Sequence, residues 1–337
     1  MAAADSPRVT LAEIAEIAGV STSTISKVFN GRSDVSQRTR ERVEALLTEH
    51  GYLRRGSGRA RSGLIELVFH QFESAWSMEI IRGVEDVASE HGLSVVLTQS
   101  GTRHEPGPEW VEGVIQRRPE AVLLVFSGIP DSARQALRTR DIPFAIIDPA
   151  GDPAPDVPSV GSANWAGGLM ATRHLIELGH TKIAAITGPE DMLCSHARLD
   201  GFRSAMSGAG IEINPDWVRF GNFYTSGGEQ HARDLLAQVD RPTAIFAGSD
   251  LQALGVLEAC RALQLRVPED LSLVGYDDIP MAQWVSPRLT TVRQPLREMG
   301  AEATRMVLRL RQDSGGPTPR MDLATNLVVR DSTARPN

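Results

Sequence analysis

Two cysteines in 337 residues, Cys194 and Cys260, give neither a disulfide framework nor a metal-ligand spacing, which excludes a stapled secreted scaffold and a zinc module. Both read as small buried hydrophobes. No apolar run approaches the roughly 20 residues that cross a bilayer. MAAADSPRVT lacks the basic start and apolar stretch of an export signal. The expectation is a cytoplasmic chain with no membrane partner. Catalytic signatures are also missing: there is no GxxxxGK[ST], no GxGxxG opening a helix after a strand, no HExxH and no GxSxG. Cys194 and His196 lie two apart, but the base that serves a thiol nucleophile ordinarily comes from elsewhere in a fold. His50, His70, His91, His104, His174, His180 and His231 are scattered without ligand spacing. No enzyme, cofactor or metal is expected.

What the chain does have is uneven charge. The net value of −7 is unsuited to a nucleic-acid partner, yet residues 1–61 hold ten Lys and Arg against seven Asp and Glu. A basic head thus precedes an acidic body, and the length itself calls for two or three domains.

Residues 10–30, TLAEIAEIAGVSTSTISKVFN, carry two short apolar stripes, Leu11, Ile14, Ala15 and Ala18, then Ile25, Val28 and Phe29. Thr10 and Ser21 stand ahead of them as N-caps, and Gly19 can take the positive φ of a tight turn. A small residue at Ala15 allows close helix contact. This is a helix-turn-helix pattern, the geometry that seats one helix in the DNA major groove. The outer face of the second helix offers Thr22, Ser23, Ser26, Lys27 and Asn30, short polar or basic groups suited to base edges and phosphates; the bland reading is a solvated hairpin face. A third helix follows Ser36, with Val43, Leu46 and Leu47 inward, and closes a three-helix domain near Gly51 and Tyr52.

VTLAEIAEIAGVSTSTISKVFNGRSDVSQRTRERVEALLTEHGY resembles the headpiece of LacI/GalR-family transcription regulators. ELGHTKIAAITGP, RLDGFRSAM, VPEDLSLVGYDDIP and SPRLTTVRQP continue the resemblance in order over nearly the whole chain. It implies a small all-α helix-turn-helix DNA-binding domain (8–55), a linker (56–63) and an α/β body (64–337). That body would be two-lobed, parallel-sheet and periplasmic-binding-protein-like, with lobes of approximately 64–162 with 290–320, and 163–289 with 321–335.

The linker departs from the family. LRRGSGRARSG puts eleven residues between Tyr52 and Leu64, where family members carry a longer hinge helix with a leucine that wedges into the minor groove. Two readings stand: Arg59 and Arg61 lie in a narrow minor groove, or they touch phosphates from a simple tether. The missing wedge predicts a weaker operator bend.

From Leu64 the chain alternates apolar runs (LIELVF, LSVVLT, AVLLVF, FAII, KIAAIT, TAIFAG, LSLVGY) with amphipathic stretches near 77–91, 164–178, 198–208, 226–238 and 250–264. That is the pattern of parallel strands with crossover helices. VPSVGSANWAGG, near 157–168, reads as a crossing between two sheets. Ligands of open parallel sheets sit beyond the carboxyl ends of the strands. The residues that follow the strands therefore form the candidate shell: Gln71, Phe72, Ser74 and Trp76, then Ser127, Asp148, Ser249, Asp250, Asp277 and Asp278. The resemblance adds Arg198, in RLDGF, as a clamp on effector hydroxyls opposite Asp277, and places Asp148, Phe223 and Gln294 toward the ligand. Ser249 stands where other members carry asparagine.

Plainer roles stand beside these. Ser74 could cap a helix that Trp76 opens, Asp148 could form a turn with Pro149, Arg198 could be ion-paired on its helix, and Phe223 and Trp284 could be core. Asp278 reads as structural. Guanidinium and carboxylate suit the vicinal hydroxyls of a sugar, and an aromatic ring suits its CH face; a purine or nucleoside would use much the same shell. The implied protein is a homodimeric repressor of a palindromic DNA operator, released by a small carbohydrate. The alternatives are a nucleoside- or purine-responsive regulator and, from another class, a solute-binding protein of sugar transport. Asn30 and Tyr52 would hold phosphates. ATNLVVRDS is the last strand-like segment and no heptad tail follows, which favours a dimer over a tetramer.

Overall fold

The structure is a computed structural model describing residues 10–29, 35–50, 62–72, 74–102, 104–149, 154–312 and 317–337. The chain forms two compact units, residues 1–62 and 63–337.

The first unit holds α1 (Leu11–Ala18), α2 (Thr22–Phe29) and α3 (Gln37–Glu49). Thr10 caps α1 reciprocally: its Oγ accepts the Glu13 N–H at 3.3 Å, and the Glu13 carboxylate accepts the Thr10 N–H at 2.6 Å. Gly19 ends α1 at φ +61°, a conformation that costs any other residue more. Ser21 and Ser36 accept the N–H groups of Thr24 (3.2 Å) and Thr39 (3.3 Å). Ile14, Ala15, Ala18, Ile25, Val28, Val43 and Leu47 form the core. Leu11 departs from its expected place in the stripe and is exposed. Helical side chains lean toward the N-terminus, so a leucine in the first position leans off the end of the helix. The Phe29 side chain lies outside the described part.

The second unit alternates strand and helix through β1 (Leu64–Phe69), α4 (Ala75–Glu90), β2 (Ser94–Gln99), α5 (Glu109–Arg117), β3 (Ala121–Val125), α6 (Asp131–Arg138), β4 (Phe144–Ile147) and β5 (Ser159–Ser162). It continues with α7 (Asn164–Glu177), β6 (Ile183–Thr187), α8 (Leu193–Gly208), β7 (Val218–Phe220), α9 (Thr225–Leu236), β8 (Ala244–Ala247), α10 (Asp250–Ala262), β9 (Ser272–Asp277) and α11 (Met281–Trp284). The last elements are β10 (Thr290–Arg293), α12 (Leu296–Gln312), β11 (Arg320–Leu323) and β12 (Asn326–Val328). Two six-stranded sheets result, ordered β11-β5-β4-β3-β1-β2 and β12-β10-β9-β8-β6-β7. Every pairing is parallel except β10 with β12. The central strands are buried along their whole length, as helices on both faces require, and this is why they read as continuous apolar runs rather than alternating ones.

The chain crosses between lobes three times: between Ser162 and Asn164, between Arg293 and Leu296, and between Leu323 and Asn326. The crossings are bonded to one another. Ala163 N–H donates to the Leu323 carbonyl at 2.9 Å, and Ser162 Oγ donates to Gln294 Oε1 at 2.7 Å. The lobe boundaries therefore differ from the expected 290 and 321. β10 pairs with β9 in the second sheet and β11 with β5 in the first, so each crossing comes a few residues later. Among the described residues, no helix is long and apolar enough to cross a membrane.

Candidate effector site and nucleic-acid interface

The strand ends of the two lobes converge on a cavity of about 890 Å³, part of it open to solvent. Trp76 and Phe126 line it from the first lobe, and Phe223 and Tyr224 from the second. Arg198 reaches in from α8 and is almost wholly buried. Its Nε donates to Asn164 Oδ1 at 2.8 Å and its Nη1 to the Gly248 carbonyl at 2.5 Å. The guanidinium carbon lies over the Tyr276 ring, 3.8 Å from its centre, and over that of Phe223 at 5.3 Å, so both aromatic rings favour its charge. Phe223, itself at φ +66°, is admitted by Gly188, where any Cβ would sit 2.0 Å from the Phe223 ring.

Asp277 ends β9 at φ +115°, with Oδ1 3.9 Å from Arg198 Nη1. Gln294 Nε2 donates to the same oxygen at 2.7 Å. Burial pushes the Asp277 carboxyl up to about 7, with Arg198 and Gln294 pulling the other way. Asp148, at φ +52°, is also raised by burial, against the pull of Arg198, and its buried Oδ1 has no hydrogen-bond partner. One guanidinium thus faces two carboxylates whose charged forms are costly. Hydroxyl groups that donate to the carboxylates and accept from the guanidinium would relieve that cost.

Of the other residues expected here, Ser74, Trp76, Asp148, Arg198, Phe223, Ser249 and Asp277 line the cavity. Two also serve as helix caps: Ser74 Oγ accepts the Ser77 N–H at 3.1 Å, and Ser249 Oγ accepts the Gln252 N–H at 3.1 Å while donating to the Phe223 carbonyl at 2.9 Å. Three others do not line it. Phe72 turns into the first lobe's core, edge-on to Phe69 at 5.5 Å, and Gln294 is buried behind Asp277. Asp250 is fully buried, accepting from Ile279 N–H (2.9 Å) and Thr291 Oγ (2.5 Å); burial raises its pKa, and it braces the β9 turn rather than facing a ligand. The physical reason is shared: a residue within the first few positions after a strand can turn back into the lobe as readily as outward. Trp284 is 76% exposed and lies outside the cavity. Asp278 pairs with Arg293 (2.7 Å) and Arg330 (2.5 Å).

Sequence reasoning missed Tyr276, Asn164 and Tyr224. Tyr224 bridges the lobes by donating its hydroxyl to Gln71 Oε1 at 3.0 Å, beside a second bridge from His104 Nε2 to Asp191 Oδ2 at 2.9 Å. Asn164 and Tyr224 carry only the signal of lying just past β5 and β7, and Tyr276 lies within β9, where an aromatic residue reads as core. Burial pushes the Cys194 thiol up to about 12, and His196 contacts the Glu190 carbonyl at 2.6 Å.

In the first unit, α2 exposes Thr22, Ser23 and Ser26, with Lys27 half-buried beside them. Ser23 Oγ shares a hydrogen bond with Ser21 Oγ at 2.8 Å. Asn30, Tyr52, Arg59 and Arg61 lie outside the described residues.

A helix-turn-helix unit joined to a two-lobed parallel-sheet body with a polar, aromatic-walled cleft defines the class of effector-responsive DNA-binding regulators. The chain belongs to the lacI family of bacterial regulatory proteins. That family's model matches residues 10–55, and the periplasmic binding protein-like domain matches residues 172–333. The HTH-type transcriptional regulator CelR of Thermobifida fusca is 36% identical over 96% of this chain and 98% of its own length. The HTH-type transcriptional repressors PurR of Vibrio vulnificus (32%; 97% and 99%) and CytR of Escherichia coli strain K12 (33%; 96% and 96%) are similar over comparable spans. Among solved structures, a CelR–cellobiose complex superposes with a TM-score of 0.73 at 35% identity, covering 96% of this chain and all of that one. A lac repressor dimer bound to operator and an anti-inducer gives 0.68 at 28%, over 97% and 100%. The chain is accordingly a transcriptional regulator that acts on DNA and responds to a small molecule.

Proposed function

We propose that this chain is a cytoplasmic, homodimeric, non-enzymatic repressor that releases a pseudo-palindromic operator when a small carbohydrate closes the cleft between its lobes. The observation that carries the reading is the Arg198–Asp277 pair, fixed from behind and facing an aromatic-walled cavity. A sugar's vicinal hydroxyls fit a guanidinium and a carboxylate, and its CH face fits Trp76 or Phe223. The cellobiose in the CelR complex supports that ligand class. In each headpiece, Thr22, Ser23, Ser26 and Lys27 read bases, while Asn30 and Tyr52 position the helix on phosphates and Arg59 and Arg61 approach the minor groove. Closing the cleft changes the lobe angle through the three bonded crossings and so alters the spacing of the paired headpieces. The coupling is reciprocal: a sugar that weakens operator binding binds the operator complex more weakly.

A purine or nucleoside effector is the second reading, favoured by PurR and CytR among the relatives and by the same aromatic shell. A thermal-shift screen of the full chain against mono- and oligosaccharides, purines and nucleosides decides between them. Stabilisation by saccharides alone is the expected result, and stabilisation by purines or nucleosides alone overturns the carbohydrate assignment.

A further inference from the structure

Five residues behind the cleft form a hydrogen-bonded ring with one gap. Ser162, the last residue of β5, donates its hydroxyl to Gln294 Oε1 at 2.7 Å, and Gln294 Nε2 donates to Asp277 Oδ1 at 2.7 Å. From the other side, Asn164 Nδ2 donates to the Ser162 carbonyl at 3.2 Å, and Asn164 Oδ1 accepts from Arg198 Nε at 2.8 Å. Each amide thus uses both of its ends. The ring is open only between Arg198 Nη1 and Asp277 Oδ1, 3.9 Å apart, and both of these residues line the cavity.

Ser162 is where this ring meets the joints between the lobes. Its strand belongs to the first lobe, Asn164 opens α7 of the second, and Gln294 lies on the second crossing. Ala163, between Ser162 and Asn164, donates its N–H to the Leu323 carbonyl at the third crossing, at 2.9 Å. A shift at the gap therefore reaches all three crossings through one short segment. Ser162, Arg198, Asp277 and Gln294 are buried, so water offers them few alternative partners and a bond lost at one member is felt by the others. Ser162 Oγ also sets the sense of the Gln294 amide: its donor holds Oε1, which leaves the NH2 end to face the Asp277 carboxylate.

We infer that Ser162 is the positioning residue that couples effector occupancy to the lobe angle. A ligand that bridges Arg198 and Asp277 closes the ring, and the Ser162 hydroxyl passes the resulting shift from Gln294 to the first crossing. The inference rests on the reading of the cleft as the effector site, and it holds for a saccharide or a purine alike. Ser162 does not itself line the cavity, so its hydroxyl acts on the ligand only through Gln294. Its removal is therefore a loss of response rather than of recognition.

The test is anisotropy titration of the full-length chain against the duplex it selects from a random library, without ligand and with saturating glucose, cellobiose, xylose, xylobiose, adenine or adenosine, each first screened by calorimetry. For a ligand that binds, the two wild-type operator dissociation constants are expected to differ at least about tenfold, in either direction. Ser162→Ala should reduce that ratio about fivefold, the loss of one buried hydrogen bond, while leaving operator affinity without ligand near wild type. Ser162→Thr, which keeps the hydroxyl, should restore most of the ratio. In a Gln294→Met background the serine substitution should change the ratio no further, because the bond it removes is already gone. Melting temperatures establish that each variant is folded. A wild-type ratio in Ser162→Ala, or equal losses in Ser162→Ala and Ser162→Thr, would overturn the coupling role while leaving the cleft reading intact. If none of the six compounds binds the wild-type chain, or none that binds shifts operator affinity, the cleft reading and this inference fall together.

Discussion

Arg198 Nη1 and Asp277 Oδ1 stand 3.9 Å apart, too far for a direct hydrogen bond, and each is held by other partners. Asn164 and the Gly248 carbonyl fix the guanidinium, while Gln294, itself bonded to Ser162 at the first crossing, fixes the carboxylate. The pair is therefore positioned before a ligand arrives, which lowers the ordering cost of binding. Through Gln294, the same carboxylate is one hydrogen bond away from the segment where the lobes join.

Replacing Arg198 with alanine should weaken effector binding at least about 100-fold, the loss expected when charge-assisted bonds of roughly 1.5–3 kcal/mol each disappear. Operator binding without effector should stay near wild type. Because Arg198 is buried, Arg198→Lys is the companion variant: it keeps the charge, loses the planar fork, and should bind at an intermediate level. Calorimetry for effector and fluorescence anisotropy for DNA check both. Normal effector response in either variant would mean that the cleft is misassigned.

The raised pKa of Asp277 makes a signed prediction. Its folded value of about 7 exceeds the unfolded value, so the native state holds the proton more tightly and stability falls as pH rises from about 4 through about 7. Asp277→Asn removes a charge whose cost builds up through that window and is complete above it. The variant should gain about 3–4 kcal/mol over wild type at pH 8, less at pH 5, and almost nothing at pH 4. Denaturant melts at these pH values measure it, and an equal gain at all of them would contradict the assignment.

Two bridges, Tyr224 to Gln71 and His104 to Asp191, span the cleft. Tyr224→Phe deletes the first while keeping the ring. Losing one hydrogen bond of about 1 kcal/mol should speed effector dissociation roughly fivefold. Stopped-flow kinetics reads this out, and an unchanged off-rate would show that the bridge does not hold the closed state.

Lys27→Ala should cost about 1–3 kcal/mol of operator affinity and relax preference at one base position if Lys27 reads a base. Competition against a library of single-base operator variants distinguishes this from uniform weakening, which would make Lys27 a phosphate contact.

Much of this was legible in the sequence because it rests on local pattern. Thr10 with Glu13, Gly19, and the apolar spacing from Ile14 to Val28 encode the three-helix unit without long-range information. AVLLVF and FAII announce buried parallel strands by their uninterrupted apolarity, and LIELVF breaks its run only at Glu66, which is buried and paired with Arg117. Arg198 and Asp277 were found because motif context marked them. The rest depends on tertiary geometry. No spacing reveals that β10 and β11 each join the sheet opposite to the expected one, since strands that short are fixed by their neighbours. Nor does sequence distinguish Asp277, which faces the cleft, from Asp250, which turns inward to Thr291 and Ile279. Tyr276 stacks on Arg198 from a strand interior, where an aromatic residue looks like ordinary core.

Anisotropy titration of the full-length chain against duplexes that it has itself selected from a random library, with and without saturating saccharide, is the most direct measurement. The predicted result is tight binding to a pseudo-palindromic duplex, weakened at least about tenfold by the sugar through a coupling of 1.4 kcal/mol or more. Failure to enrich any duplex, or an operator affinity indifferent to every sugar that binds the cleft, would contradict it.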